Sequence, residues 1–157
     1  MKTAIVYYSL NGNCAFVAEE IKANLDCDLI PLHTKDDKKR KGLSKFFWSF
    51  GLMISKKPPL KPYTFDPSAY DLIIIGSPVW AAAPASPLKT FLSDTEIKGK
   101  KIALFACHAG GLGQAMDKFK TLLPGNDIIS EMDINEPSSK DSEGAKQMIA
   151  EWVKRLF

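Results

Sequence analysis

The stretch Tyr70-Asp71-Leu72-Ile73-Ile74-Ile75-Gly76 constrains the fold more than any other. Leu72 to Ile75 form an unbroken apolar run, mostly β-branched, between turn signals. An alternating strand can leave one face to water, but an unbroken one needs cover on both faces. That is the situation of a central strand in a parallel sheet between two layers of helices. The neighbouring segments supply such layers. A strand over about 2–8 leads into a helix over about 13–25 with Cys14, Val17, Ala18, Ile21 and Leu25 on one face. Asp28 to Leu32 reads as a second short strand, with Pro31 suited to an edge. After the 70–76 strand comes a helix near 86–92, with Leu88, Phe91 and Leu92 inward, closed by Gly99. A strand over 101–106 follows, then a helix carrying Met116, Phe119, Leu122 and Leu123 that stops at Pro124-Gly125-Asn126. A fifth strand covers about 128–134. Pro137-Ser138-Ser139 opens a last helix whose Ala145, Met148, Ile149, Trp152, Val153 and Leu156 fall on a buried stripe. Strands alternating with helices predict an α/β fold, a doubly wound five-stranded parallel sheet with helices on both faces.

The stretch from Leu43 to Ile54 holds Phe46, Phe47, Trp48, Phe50, Leu52 and Met53 and is too aromatic to be left in water. It reads as a helix packed on the core, with a pocket rim as the other place for it. Pro58, Pro59 and Pro62 end it and lead an extended linker.

Bulk properties narrow the function. The chain has 157 residues, of which 45% are apolar, enough for one domain over 1–157 with a sizeable core. No apolar run approaches the ~20 residues of a membrane span, and the start has no signal-peptide pattern, so a cytoplasmic location is expected. The three cysteines, Cys14, Cys27 and Cys107, make neither a CxxC pair nor a metal-spaced cluster, and two distant histidines add little, so no metal is expected. The net charge is +3, with the basic excess mostly in 35–61. Such a run is usually a solvated face, and no nucleic-acid partner is expected.

In a doubly wound sheet, ligands lie beyond the carboxyl ends of the strands, where strand order reverses. Three loops there have unusual composition. Ser9-Leu10-Asn11-Gly12-Asn13-Cys14 is small and polar and opens a helix, an arrangement that turns backbone N–H groups toward an anion. It holds no Lys or Arg, so amides and small side chains would do the holding. Ser77 to Pro84 contains Pro78, Val79, Trp80 and Ala81, a large flat ring among small neighbours. Cys107-His108-Ala109-Gly110-Gly111 is glycine-rich and lets backbone approach a ligand closely. An anion cradle, an aromatic wall and a pliant backbone wall suit a flat heterocycle bearing a phosphate, the shape of FMN. Trp80 reads as a wall rather than as core. His108 is either beside the ligand or on a solvent-facing loop. Cys14 and Cys107 either approach the ligand or, more commonly for such thiols, are buried and inert.

With these motifs the chain resembles the flavodoxin family along nearly its whole length, most strongly over 3–17, 70–92 and 100–125. That family holds the FMN phosphate in a loop of the form Ser/Thr-x-Thr-Gly-x-Thr, and residues 9–14 stand in its place. Asn11 replaces a hydroxyl residue and can still donate from its amide, whereas Cys14 replaces the last Thr with a weaker donor. Residues 70–92 resemble the second loop of the family, which lies against the flavin, and 107–113 its third, with His108 where a Tyr often stacks. The resemblance implies strand order 2-1-3-4-5, bound FMN, and an electron-transfer protein cycling one or two electrons on it. The partner would be a redox protein or a small-molecule electron acceptor. An NAD(P)H-dependent quinone or flavin-type reductase on the same scaffold is the alternative, and a module without flavin a third. Family members tend to be acidic. The net positive charge here implies a different partner face, and the basic aromatic segment 35–61 is expected to rim it.

Two relatives of the fold are excluded by residue chemistry. A low-molecular-weight tyrosine phosphatase needs an Arg shortly after its cysteine, and Ala15 to Glu20 contains none. A phospho-acceptor receiver needs acidic residues at the strand ends, where Ser9-Leu10-Asn11 and Ser77-Pro78 stand instead.

Overall fold

In the computed structural model, which describes residues 1–35 and 57–157, Leu72 to Ile75 lie mid-sheet with no exposed surface. The elements in order are β1 (Thr3–Tyr8), α1 (Asn13–Asn24), β2 (Asp28–Leu32), β3 (Leu72–Trp80), β4 (Ala83–Pro84), α2 (Ser86–Asp94), β5 (Lys101–His108), α3 (Ala115–Thr121), β6 (Asp127–Asn135) and α4 (Ser142–Lys154). The sheet runs β2-β1-β3-β5-β6, all parallel, and β4 pairs antiparallel with the end of β3. The five long strands follow the expected order, and the two-residue β4 is a sixth that sequence periodicity does not reveal.

Because strand side chains alternate between faces, each strand feeds two cores. On one face Ile5, Ile74 and Phe105 pack with Val17, Ala18 and Ile21 of α1 and with Ile149, Trp152 and Val153 of α4. On the other, Val6, Ile73, Ile75 and Leu104 pack with Leu88 and Phe91 of α2 and Met116 and Phe119 of α3. Among the described residues β2 is an edge strand, and its Pro31 sits opposite Tyr7. A proline there takes no inner-ladder donor away.

Several boundaries differ from expectation. β3 does not end at Gly76. Ser77 and Pro78 go on pairing with Ala106 and Cys107 of β5, after the pairing with β1 has stopped. With a neighbour on one side only, the missing N–H of Pro78 is tolerated. β5 likewise runs past Ala106 to His108, which pairs with Asn135. The last helix starts at Ser142 and not at Pro137. Asp141 caps it by accepting a hydrogen bond from Gly144 N at 2.9 Å. Met148, expected in the buried stripe, is 46% exposed. The stripe is narrower because α4 packs against α1, and Ala145, Ile149, Trp152 and Val153 fill that contact. Leu25, Leu92 and Leu122 are half-buried at core margins.

The helix expected over 43–54 lies outside the described residues. The chain that returns from it is extended, as its prolines suggest, and runs beside the end of β2. Lys35 N donates to Pro59 O and Lys61 N to His33 O. Thr90 Oγ1 on α2 donates to Pro58 O at 3.1 Å. No described helix is long and apolar enough to cross a membrane.

One glycine is required by packing. Gly76 faces Phe105 across β3 and β5, and a Cβ built on Gly76 would fall inside the Phe105 ring. Gly76→Ala must displace that ring from a close-packed core. The expected cost is about 1–3 kcal/mol, read as a lower urea midpoint with an unchanged slope.

Candidate functional site

β1, β3 and β5 are the three central strands, and their carboxyl ends open onto one cleft of about 540 Å³. Its walls are Ser9, Leu10, Asn11, Asn13 and Cys14 after β1, Pro78, Val79 and Trp80 at the end of β3, and Cys107, His108 and Ala109 at the end of β5. All of these were expected from the sequence. The other expected residues, Gly12, Ala81, Gly110 and Gly111, do not line the cleft and are exposed at its rim.

The first wall is built for an anion. Gly12 takes φ 92°, a left-handed conformation open to glycine, and turns the chain from β1 into α1. No side chain of Gly12 can cap the helix, and the first turn carries no acidic residue. Ser9 Oγ accepts from Ala15 N at 3.1 Å, which ties the loop to the helix. The Asn13 Oδ1 atom accepts from Ser138 N at 3.2 Å and Ser138 Oγ at 2.5 Å, fixing the loop to the turn after β6. The positive end of the helix dipole therefore faces the cleft without a carboxylate to neutralise it.

The second wall is a hairpin and not the loop that composition suggests. Val79 pairs with Pro84 and Trp80 with Ala83, leaving Ala81 and Ala82 as the two turn residues, with φ 49° and 52°. Positive φ at both positions is the requirement of a type I′ turn, and alanine meets it at a cost glycine or asparagine would avoid. Ser77, fully buried, secures the base. Its Oγ accepts from Ala85 N and donates to Pro78 O, each at 2.9 Å. Trp80 is half-buried, edge-on to Tyr8 with ring centroids 5.6 Å apart. It is thus both a cleft wall and a packed side chain.

The third wall is held by the neighbouring strand. His108 O accepts from Glu136 N at 2.9 Å, and His108 Nε2 lies 3.1 Å from Asp133 Oδ2. The imidazole is only 10% exposed, so it is not the solvent-facing residue that its loop-like surroundings allow. Its Nδ1 is buried with no partner among the described residues.

A family model described as Flavodoxin matches residues 2–156. The chain belongs to the flavodoxin family. Among solved structures, this flavodoxin-family chain is similar to a flavoprotein from Lactobacillus acidophilus NCFM in complex with FMN. The two are 27% identical with a TM-score of 0.69, over 91% of this chain and 98% of that one. Two likenesses of lower identity show the fold alone. The two-electron reduced flavodoxin of Megasphaera elsdenii is 21% identical at a TM-score of 0.62, covering 97% and 98% of the two chains. A WrbA-like flavodoxin from Agrobacterium tumefaciens is 20% identical at 0.61, covering 98% and 95%. Comparison with curated proteins finds no match.

Two thiols lie at the floor of the cleft. Cys14 and Cys107 are 1% and 3% exposed. Burial pushes the Cys14 thiol well above its ordinary range, and contact with Cys107 adds to the shift. Cys27, beneath α1 near β2, is pushed up to about 11, chiefly by burial.

Four residues that shape the cleft are not among those expected from sequence: Tyr8 beside Trp80, Ser77 under the hairpin, Asp133 on His108 and Ser138 on Asn13. Ser77 and Tyr8 adjoin the motifs and carried no distinguishing pattern. Asp133 and Ser138 come from the far end of the chain and depend on strand register.

Two outcomes follow from this geometry. Ala82→Gly relieves one strained turn residue and should raise stability by about 1 kcal/mol, read as a higher urea midpoint. In the native protein Cys14 and Cys27 should react only slowly with iodoacetamide at neutral pH, since burial keeps both thiols protonated. Reaction, followed by mass spectrometry, should accelerate as pH climbs toward about 11, where the Cys27 thiolate appears.

Proposed function

We propose that this chain binds FMN in the cleft and serves as an electron carrier, passing one or two electrons between a reductase and an acceptor. The observation that carries the reading is the junction of three walls at the carboxyl ends of β1, β3 and β5, in a cleft of about 540 Å³. The Lactobacillus flavoprotein in complex with FMN supports the choice of ligand.

The residues fit the group. Residues 9–14 would take the phosphate, with the remaining N–H groups at the start of α1 and the amide chemistry of Asn11 and Asn13 in place of charged side chains. The flat face of Trp80 would lie against the ring system, where an offset or edge contact adds to area burial. Residues 107–111 would run along its other side. Ala109, Gly110 and Gly111 are exposed, and Gly111 takes φ 112°, so backbone there can approach a ligand with no Cβ in the way. Bound flavin supplies the redox chemistry, and the protein sets its exposure and potential. The chain's own tasks are to hold the phosphate, fix the plane of the ring and govern water and charge around it. An exposed edge of the ring would be the place where a partner meets it.

The test is an absorption spectrum of the purified protein before and after addition of FMN and desalting. Retained flavin bands are expected, and a colourless protein after both would overturn the reading. Adding NAD(P)H to the loaded protein then separates carrier from reductase. A carrier bleaches slowly without a reductase, whereas rapid bleaching with turnover would make the chain an enzyme.

A further inference from the structure

We propose that His108 and Asp133 form a proton-accepting pair that balances the charge of electrons entering the cleft, so that electron uptake is coupled to protonation of His108. The inference rests on the FMN reading and adds to it a residue, Asp133, and a task.

Four observations carry it. First, a carboxylate only accepts hydrogen bonds, so Asp133 Oδ2 at 3.1 Å requires Nε2 to carry its hydrogen. That leaves Nδ1 as the atom whose state can change, a lone pair in the neutral ring and an N–H in the cation. Second, Nδ1 is buried and has no partner among the described residues, although the ring is nine-tenths buried and lines the cleft. A buried polar atom with no protein partner among the described residues, on a ring that lines the cleft, is a hydrogen-bonding place suited to a ligand. Third, the ring cannot easily turn away, since Glu136 N holds the His108 carbonyl and Asp133 holds Nε2. Fourth, among the described residues the cleft lining contains no Lys or Arg, and His108 is the one side chain there able to become a cation.

The other titratable groups around His108, among the described residues, do not replace it. Glu136 is paired with Lys140 Nζ at 2.7 Å. On the inner side stand Cys107 and Cys14, both buried thiols, with Cys14 held protonated by burial. Pro78, Val79 and Trp80 opposite bring no charge.

The physical consequence is a balance of charge. A phosphate at the α1 end would already place negative charge in a cleft whose described lining carries no fixed cation. Electrons added to the ring increase it, and negative charge nearby favours the protonated imidazole. Nδ1 would therefore take up a proton from solvent when negative charge is added to the cleft, and give it back when an acceptor removes that charge. Asp133 is a positioning residue. It fixes the tautomer and steadies the cation without touching the ligand.

The experiment measures the midpoint potential of the FMN-loaded protein against pH, between about pH 6 and 8, because the slope counts protons per electron pair. At the acidic end the wild type should take up one proton more per electron pair than His108→Gln, and at the alkaline end the two should agree. Asp133→Asn should move the step to lower pH, and Asp133→Glu should restore it. Asp133 is exposed, so these two variants keep the test sound even if His108→Gln folds poorly. Identical slopes in the wild type and Asp133→Asn, or in the wild type and a folded His108→Gln, would overturn the proposal while leaving FMN binding intact. A wild-type protein that stays colourless with FMN would overturn the functional reading itself, and this proposal with it.

Discussion

Everything in this molecule depends on the double burial of β3. Its Leu72 to Ile75 segment is flanked by β1 and β5 and covered by helices on both faces, so its side chains have no exposure. A strand in that position must satisfy all its backbone groups within the sheet, and this fixes which strands adjoin it. With β1 on one side and β5 on the other, two neighbouring strands leave in opposite directions along the sheet, and the crevice between their following loops has nowhere else to form. The hydrophobic core therefore chooses the place of the site, while the loops decide only what the site will hold.

The three walls divide the work by physical type. The first offers a field from a helix start that carries no carboxylate. The second offers apolar area on a stiff hairpin. The third offers an imidazole held by a carboxylate. Their supports are likewise distinct: Ser138 steadies the first, Ser77 and Tyr8 the second, and Asp133 and Glu136 the third. Since these supports come from separate elements, a change in one wall need not propagate into the others.

Much of this was legible in the sequence. The unbroken run of β3, the amphipathic faces of α1 and α2, and the composition of three loops led to the doubly wound sheet and to every described residue that lines the cleft, while the sheet order came from the family resemblance. What the sequence hid was register. The pairing of β5 with β6 shifts between Ile102 and Ala103, so no count along the chain shows that Asp133 stands diagonal to His108. Ser138 is 125 positions from Asn13 and is joined to it only through the docking of the turn after β6. The hairpin at Trp80 was hidden for another reason. Two alanines carry none of the glycine or asparagine signal that marks a type I′ turn, because the turn is held from below by Ser77 and not by local preference. Met148 shows the reverse failure: the helical spacing is correct, but the single partner helix covers less of the face than the period allows.

The Gly76–Phe105 contact also limits how this sequence can drift. The ring occupies the volume that a side chain at 76 would need, so the two positions share one allotment of space. Neither can change freely while the other stays as it is. A larger residue at 76 becomes tolerable only after Phe105 has shrunk, and shrinking Phe105 first opens a void between β3 and α1. Any lineage moving from one packing to the other must cross an unstable intermediate or change both residues together. The pair acts as a ratchet between β3, the middle strand, and its neighbour β5.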